Sequence, residues 1–166
     1  MSQVIVAPSL ETPKYRSVFL GGGITGCANW QKEVCDFLKN YEITLFNPKR
    51  DKFDISNKAL TMEQIEWEFA RLEKCDIFSM YFCNSDSVQP ICMYELGRNI
   101  VRMQSRFPTT WEDRILVNVE PGYKREEDVY WQMAWATACK VLPTKGNARF
   151  HAIGIHNAVK RIEGRL

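Results

Sequence analysis

The sequence predicts an α/β protein built on a doubly wound, mainly parallel sheet of about five strands. Three observations carry that expectation. Short apolar runs alternate with longer segments of helical period along the whole chain. The helical segments repeat their apolar residues at three- and four-residue spacing. Each strand closes on a turn signal, such as Gly21-Gly22-Gly23, Asn47-Pro48 or Pro121-Gly122.

The elements follow in order. Residues 1–14 hold Pro8 and Pro13 without a clear period and are expected to be a leader, with a single domain over 15–166. Ser17-Val18-Phe19-Leu20 reads as a buried strand, followed by the loop Gly21–Gly26. Residues 29–39 place Trp30, Val34 and Leu38 on one helical face. Ile43–Phe46 reads as the next strand, stopped by Asn47-Pro48, because the residue before proline avoids helix. A polar loop reaches Leu60, and residues 61–75 read as a helix with Ile65, Phe69 and Leu72 as its apolar stripe. Asp76–Phe82 is the third strand. A helix over 90–105 buries Met93, Leu96, Ile100 and Met103, with Gly97 expected to allow close helix-to-sheet contact. Ile115–Val119 is the fourth strand and 126–140 a further helix. From about Phe150 the chain reads as a strand remnant and a last basic helix.

Composition narrows the function classes. A length of 166 residues fits one domain with a sizeable core. The net charge of +2 comes from scattered pairs such as Lys49-Arg50, with no basic stripe, so no nucleic-acid partner is expected. No run approaches the roughly 20 apolar residues of a membrane span, and no signal-peptide pattern opens the chain. The six cysteines lack C-x-x-C spacing, and only His151 and His156 supply imidazoles. Reduced thiols in a cytoplasmic protein, with no metal and no cofactor, are the expectation.

Two carboxylates stand out. Glu95 follows strand three, a polar loop and a helix-opening proline. That places it near a helix N-terminus at the sheet edge where open α/β sheets bind ligands. An ionised glutamate there suits attack on a sugar carbon. Glu68 falls on the apolar side of its helix, where a charge is costly unless paired or at a cleft. Gly22, Gly23 and Ile24 form a loop that permits close backbone approach, and it lacks both the G-x-G-x-x-G and P-loop patterns. Trp30 and Trp67 offer rings for stacking on a base, and Gln31 and Asn47 offer paired donors and acceptors. Each of these four also suits a core or turn position. Arg50, Arg98, Lys124 and Arg125 flank sheet-edge loops and suit either solvent or an anionic group.

Over roughly residues 17–130 the chain resembles the nucleoside 2-deoxyribosyltransferase-like superfamily. The motifs that carry the likeness are Gly22-Gly23-Ile24-Thr25-Gly26, Trp30-Gln31, Phe46-Asn47-Pro48-Lys49-Arg50, Trp67-Glu68 and Tyr94-Glu95-Leu96-Gly97. The resemblance implies a flavodoxin-like sheet, with Glu95 as the nucleophile that takes the sugar and Glu68 as the acid that serves the base. It implies a small-molecule nucleoside or nucleotide substrate held by the residues named above, and a homo-oligomer in which neighbours complete the pocket. Better-known members carry an aspartate at the Glu68 position. They also carry an aspartate about six residues before the nucleophile, where this chain has Ser87-Val88-Gln89-Pro90. The expected activity is cleavage of an N-glycosidic bond in a (deoxy)nucleoside or its 5′-monophosphate, with release to water or transfer to a second base. The alternative is a module that binds a nucleotide or sugar-nucleotide without turnover.

Overall fold

The computed structural model describes residues 1–164. Its sheet has six parallel strands: β1 (Gln3–Val6), β2 (Ser17–Gly22), β3 (Thr44–Asn47), β4 (Ile77–Phe82), β5 (Ile115–Val119) and β6 (Thr144–Lys145). They lie in the order β1-β3-β2-β4-β5-β6. Between them run α1 (Trp30–Leu38), α2 (Lys58–Lys74), α3 (Pro90–Arg106), a single 3-10 turn at Trp111–Arg114, and α4 (Glu126–Ala136). Helix α5 (Ala148–Ile162) follows β6. Without β1 this is the flavodoxin-like strand order, so the fold class matches the expectation.

The central strands are covered on both faces, which is why they read as unbroken apolar runs. Val18 and Leu20 point to one face, into a core shared with Trp30, Val34 and Leu38 of α1 and Ala152 and Ile155 of α5. Phe19 points to the other, against Trp67 and Leu72 of α2, Leu96 and Ile100 of α3 and Met133 of α4.

Four expectations are corrected. Gln3–Val6, inside the expected leader, pairs with β3 as the edge strand. Residues 7–10 then lie over α2, and the Ser9 carbonyl accepts from Trp67 Nε1 at 2.7 Å and Arg71 Nη2 at 2.8 Å. Only Val4-Ile5-Val6-Ala7 is continuously apolar in that segment, too short to show a period. Helix α2 buries Gln64, Trp67, Arg71 and Leu72, while Ile65 and Phe69 are more than half exposed. Equal spacing on two faces left the docking face open, and the wide indole of Trp67 with the apolar stem of Arg71 took it. Gly97 meets nothing within 4 Å of an added Cβ and faces an open groove instead of the sheet. The segment near Phe150 is helix, started by Asn147, whose side chain accepts from Phe150 N at 3.0 Å.

Candidate active site

The order β3-β2-β4 makes the crevice beside β2 the switch point of the sheet, because the chain runs to one side after β2 and to the other after β3. At the C-terminal edge there, the loops after β2, β3 and β4 enclose a cavity of about 320 Å³. Its floor is Phe19 and Gly21–Thr25. One wall is Pro48, Ile55 and Glu68, and the other is Ser87, Gln89–Cys92 and Glu95.

The glycine loop is shaped by sterics. Gly22 has φ +150, and a Cβ there would stand 2.3 Å from the Tyr81 carbonyl oxygen and 2.7 Å from the Trp30 ring. A Cβ on Gly23 would stand 2.5 Å from Gln89 Oε1 and 2.7 Å from Cys83 Sγ. Trp30 serves this loop from beneath, donating from Nε1 to the Gly23 carbonyl at 2.8 Å. Cys27 and Cys83 form a disulfide between the loops that follow β2 and β4. This corrects the expectation of six reduced thiols: 56 residues apart in sequence, the two cysteines meet only because β2 and β4 are neighbours.

Glu68 and Glu95 reach the cavity from α2 and α3. Gln64, one turn before Glu68, donates from Nε2 to Glu68 Oε1 at 2.6 Å and to the Pro48 carbonyl at 2.8 Å. That bond ties the β3 loop to the carboxylate. Burial raises the Glu68 pKa, opposed by the Gln64 hydrogen bond and the charge of Arg50. Burial, reinforced by the Glu68 charge and opposed by Arg98, pushes Glu95 up to about 7. Glu95 lies in the second turn of α3, and desolvation outweighs the dipole that the sequence suggested would keep it ionised. Burial thus pushes both carboxyls toward their protonated forms, and the Glu68 charge adds to the rise at Glu95. Burial pushes the neighbouring Cys92 thiol up to about 12, so it is no nucleophile at neutral pH.

Of the residues singled out in the sequence, Gly22, Gly23, Ile24, Glu68 and Glu95 meet in this cavity. The others do not line it. Trp67 packs against Phe19 and Phe46 in the core. Gln31 is fully buried on α1, and neither side-chain polar atom has a partner among the described residues. Asn47 Oδ1 accepts from Lys49 N at 3.0 Å and shapes the turn after β3. Arg98 pairs with Glu73 and stacks over Phe69, while Lys124 and Arg125 pair with Asp86 and Asp128. Arg50 pairs with Glu63 from behind the cavity wall.

Sequence reasoning passed over Gln89. It precedes α3 with φ +50, and its Nε2 donates to the Cys83 carbonyl at 2.7 Å. A left-handed non-glycine residue is strained and persists where its surroundings hold it. Its only sequence signal was its place before Pro90 at the helix start.

Fold and site together define a flavodoxin-like protein with two coupled carboxylates in a switch-point crevice. The sequence pattern of the family described as nucleoside 2-deoxyribosyltransferase like matches residues 15–107, more than half of the chain. The chain belongs to that family. No curated protein matches the chain. No helix among the described residues is long and apolar enough to cross a membrane.

Proposed function

We propose that the protein cleaves the N-glycosidic bond of a (deoxy)nucleoside or nucleoside 5′-monophosphate through a glycosyl ester on Glu95. The observation that carries this reading is the meeting of Glu95 and Glu68 in one cavity at the switch point. Ionised Glu95 attacks C1′ as the C1′–N bond breaks, and protonated Glu68 gives its proton to the departing base. Water, or a second base, then attacks C1′. Glu68, now a carboxylate, takes the proton of that nucleophile, and Glu95 leaves as the carboxylate. Burial that favours the protonated form of Glu68 suits its part as proton donor to the base. Uncharged substrate is also the easier occupant, since all the ionisable groups that line the cavity among the described residues are acidic: Glu68, Glu95 and the Cys92 thiol.

The reading includes a homo-oligomer. Met62, Ile65 and Phe69 on α2, with Ile91, Tyr94 and Val101 on α3, expose apolar surface beside the cavity mouth. A second copy seated there would exclude water from the pocket, and sedimentation equilibrium reads the mass directly. The activity is tested by incubating the protein with nucleosides and their 5′-monophosphates, each with and without an acceptor base. Free base and free sugar without acceptor support hydrolysis. Turnover only with a second base supports transfer, and no release in any arm overturns the proposal.

A further inference from the structure

Gln64 is bonded unevenly at its two ends. It is 8% exposed on α2 and stands behind the cavity lining. Its amide nitrogen makes two bonds, to the Pro48 carbonyl at 2.8 Å and to Glu68 Oε1 at 2.6 Å. Its amide oxygen is buried and has no partner among the described residues. Turning the amide over would set that oxygen against two other oxygens. A backbone carbonyl can only accept, so Pro48 fixes which end of the amide faces Glu68. The arrangement leaves one buried acceptor unmade, which is costly. An apolar side chain of the same length would fill the space without that cost.

The fixed amide decides where the Glu68 proton sits. In a protonated carboxyl the carbonyl-type oxygen accepts well and the hydroxyl oxygen accepts poorly. With Oε1 held by the Gln64 N–H, the hydrogen of protonated Glu68 belongs on Oε2. Oε2 has no hydrogen bond among the described residues, and it is not sealed inside the protein. Glu68 itself lines the cavity, so its free oxygen is open to a ligand there. The charged and titratable groups that face Glu68 leave this oxygen alone. Arg50, in the loop after β3, acts on Glu68 through charge, and Glu95 and Cys92 of α3 face it as further acids.

We propose that Gln64 is the positioning residue of the proton donor: locked by the Pro48 carbonyl, it holds Glu68 Oε1 and so presents the hydrogen on Oε2 to the departing base. The inference rests on Glu68 serving as the acid in the reading above, and it adds which oxygen delivers the proton and what fixes it. As the base leaves, the C1′–N electron pair passes into the ring. The Oε2–H bond breaks and the proton goes to a ring atom of the base. The charge left on Glu68 is met at Oε1 by the Gln64 N–H, a bond that strengthens as its acceptor becomes ionised. The same bond opposes the rise that burial gives the Glu68 pKa.

Two substitutions separate positioning from mere support. Gln64→Met keeps the length and loses the donor, while Gln64→Lys keeps a donor and adds charge. Circular dichroism checks that each folds, and either variant alone carries the test. Carbon-13 NMR follows the Glu68 carboxyl, assigned by its loss in Glu68→Gln. It should titrate at higher pH than wild type in Gln64→Met and at lower pH in Gln64→Lys. The infrared carbonyl band of protonated Glu68 should move to higher wavenumber in Gln64→Met, where Oε1 loses its bond, and to lower wavenumber in Gln64→Lys. A band that stays in place would put the proton on Oε1 and overturn the inference. So would titrations that shift the same way in both variants, as support alone would give. In turnover, Gln64→Met should lower kcat about tenfold or more for a natural nucleoside, within the share a general acid supplies. A nucleoside analogue whose leaving group needs no proton should be nearly spared, and equal loss for both substrates also overturns the inference. The expected NMR and infrared shifts in a protein whose wild type releases no base would uphold the placement of the proton and sink the catalytic reading alone.

Discussion

The glycine loop gives a graded prediction from three neighbouring positions. In Gly22→Ala the new methyl meets the Tyr81 carbonyl at 2.3 Å and the Trp30 ring at 2.7 Å. Neither gives way: Tyr81 lies in β4, paired with β2, and Trp30 is 3% exposed. Overpacking of this kind costs about 1–3 kcal/mol. The φ of +150 adds backbone strain on the order of 1–3 kcal/mol. A loss near 4 kcal/mol would lower Tm by on the order of 10 °C for a domain of this size. Gly26→Ala meets nothing within 4 Å, and its φ of +70 leaves left-handed strain alone, about 1–2 kcal/mol. Gly23→Ala lacks the positive φ and meets Gln89 Oε1, the far end of a side chain, beside the disulfide-held Cys83 Sγ, and should fall between the two. Thermal melts of the three variants, followed by circular dichroism, check the order. A Gly22→Ala variant as stable as Gly26→Ala would refute the steric account of this loop.

Three further outcomes follow from the site. Glu95 has a folded pKa of about 7, above its ordinary value of 4.5, so its presence favours folding least where it is ionised. Glu95→Gln should therefore raise stability at pH 8 by on the order of 2–3 kcal/mol in urea titrations. That gain should fade as pH drops to 4.5 and below, while activity is lost throughout. Arg98 lowers the Glu95 pKa from outside the cavity, so Arg98→Ala should move the acid limb of kcat/KM to higher pH without abolishing turnover. The Cys27–Cys83 bridge closes a loop with a separation of 56 residues, worth about 4 kcal/mol by chain entropy. Dithiothreitol should lower Tm accordingly, and Cys27→Ser should make the melt insensitive to reductant.

Much of the fold was legible because each central strand is short, apolar and closed by a turn signal: glycine or proline after β2, β3 and β5, and the polar run Asn84-Ser85-Asp86-Ser87 after β4. The alternation with helices then left few topologies. Glu95 was legible for the same reason, as a carboxylate just past a strand and a helix-opening proline. What stayed hidden depended on long-range contacts. The edge strand at Gln3–Val6 is defined by its pairing with β3, more than forty positions away in its register with Thr44–Asn47. The Cys27–Cys83 bridge depends on β2 lying beside β4. Trp67 and Ile65 sit two positions apart on α2, and helical spacing alone did not tell which would be buried. Glu68 reached the cavity because it follows the inward-facing Gln64 by one turn, not because it shares a stripe with Phe69.

The central claim is that Glu95 takes the sugar. It is tested most directly by mixing the protein with a 2′-fluoro nucleoside bearing an activated base, which slows the second step and lets an ester accumulate. Intact-mass and peptide-mapping mass spectrometry should then find one fluorosugar, held on the peptide that contains Glu95 and absent from Glu95→Ala. An adduct on any other residue, or one that persists in Glu95→Ala, would contradict the account.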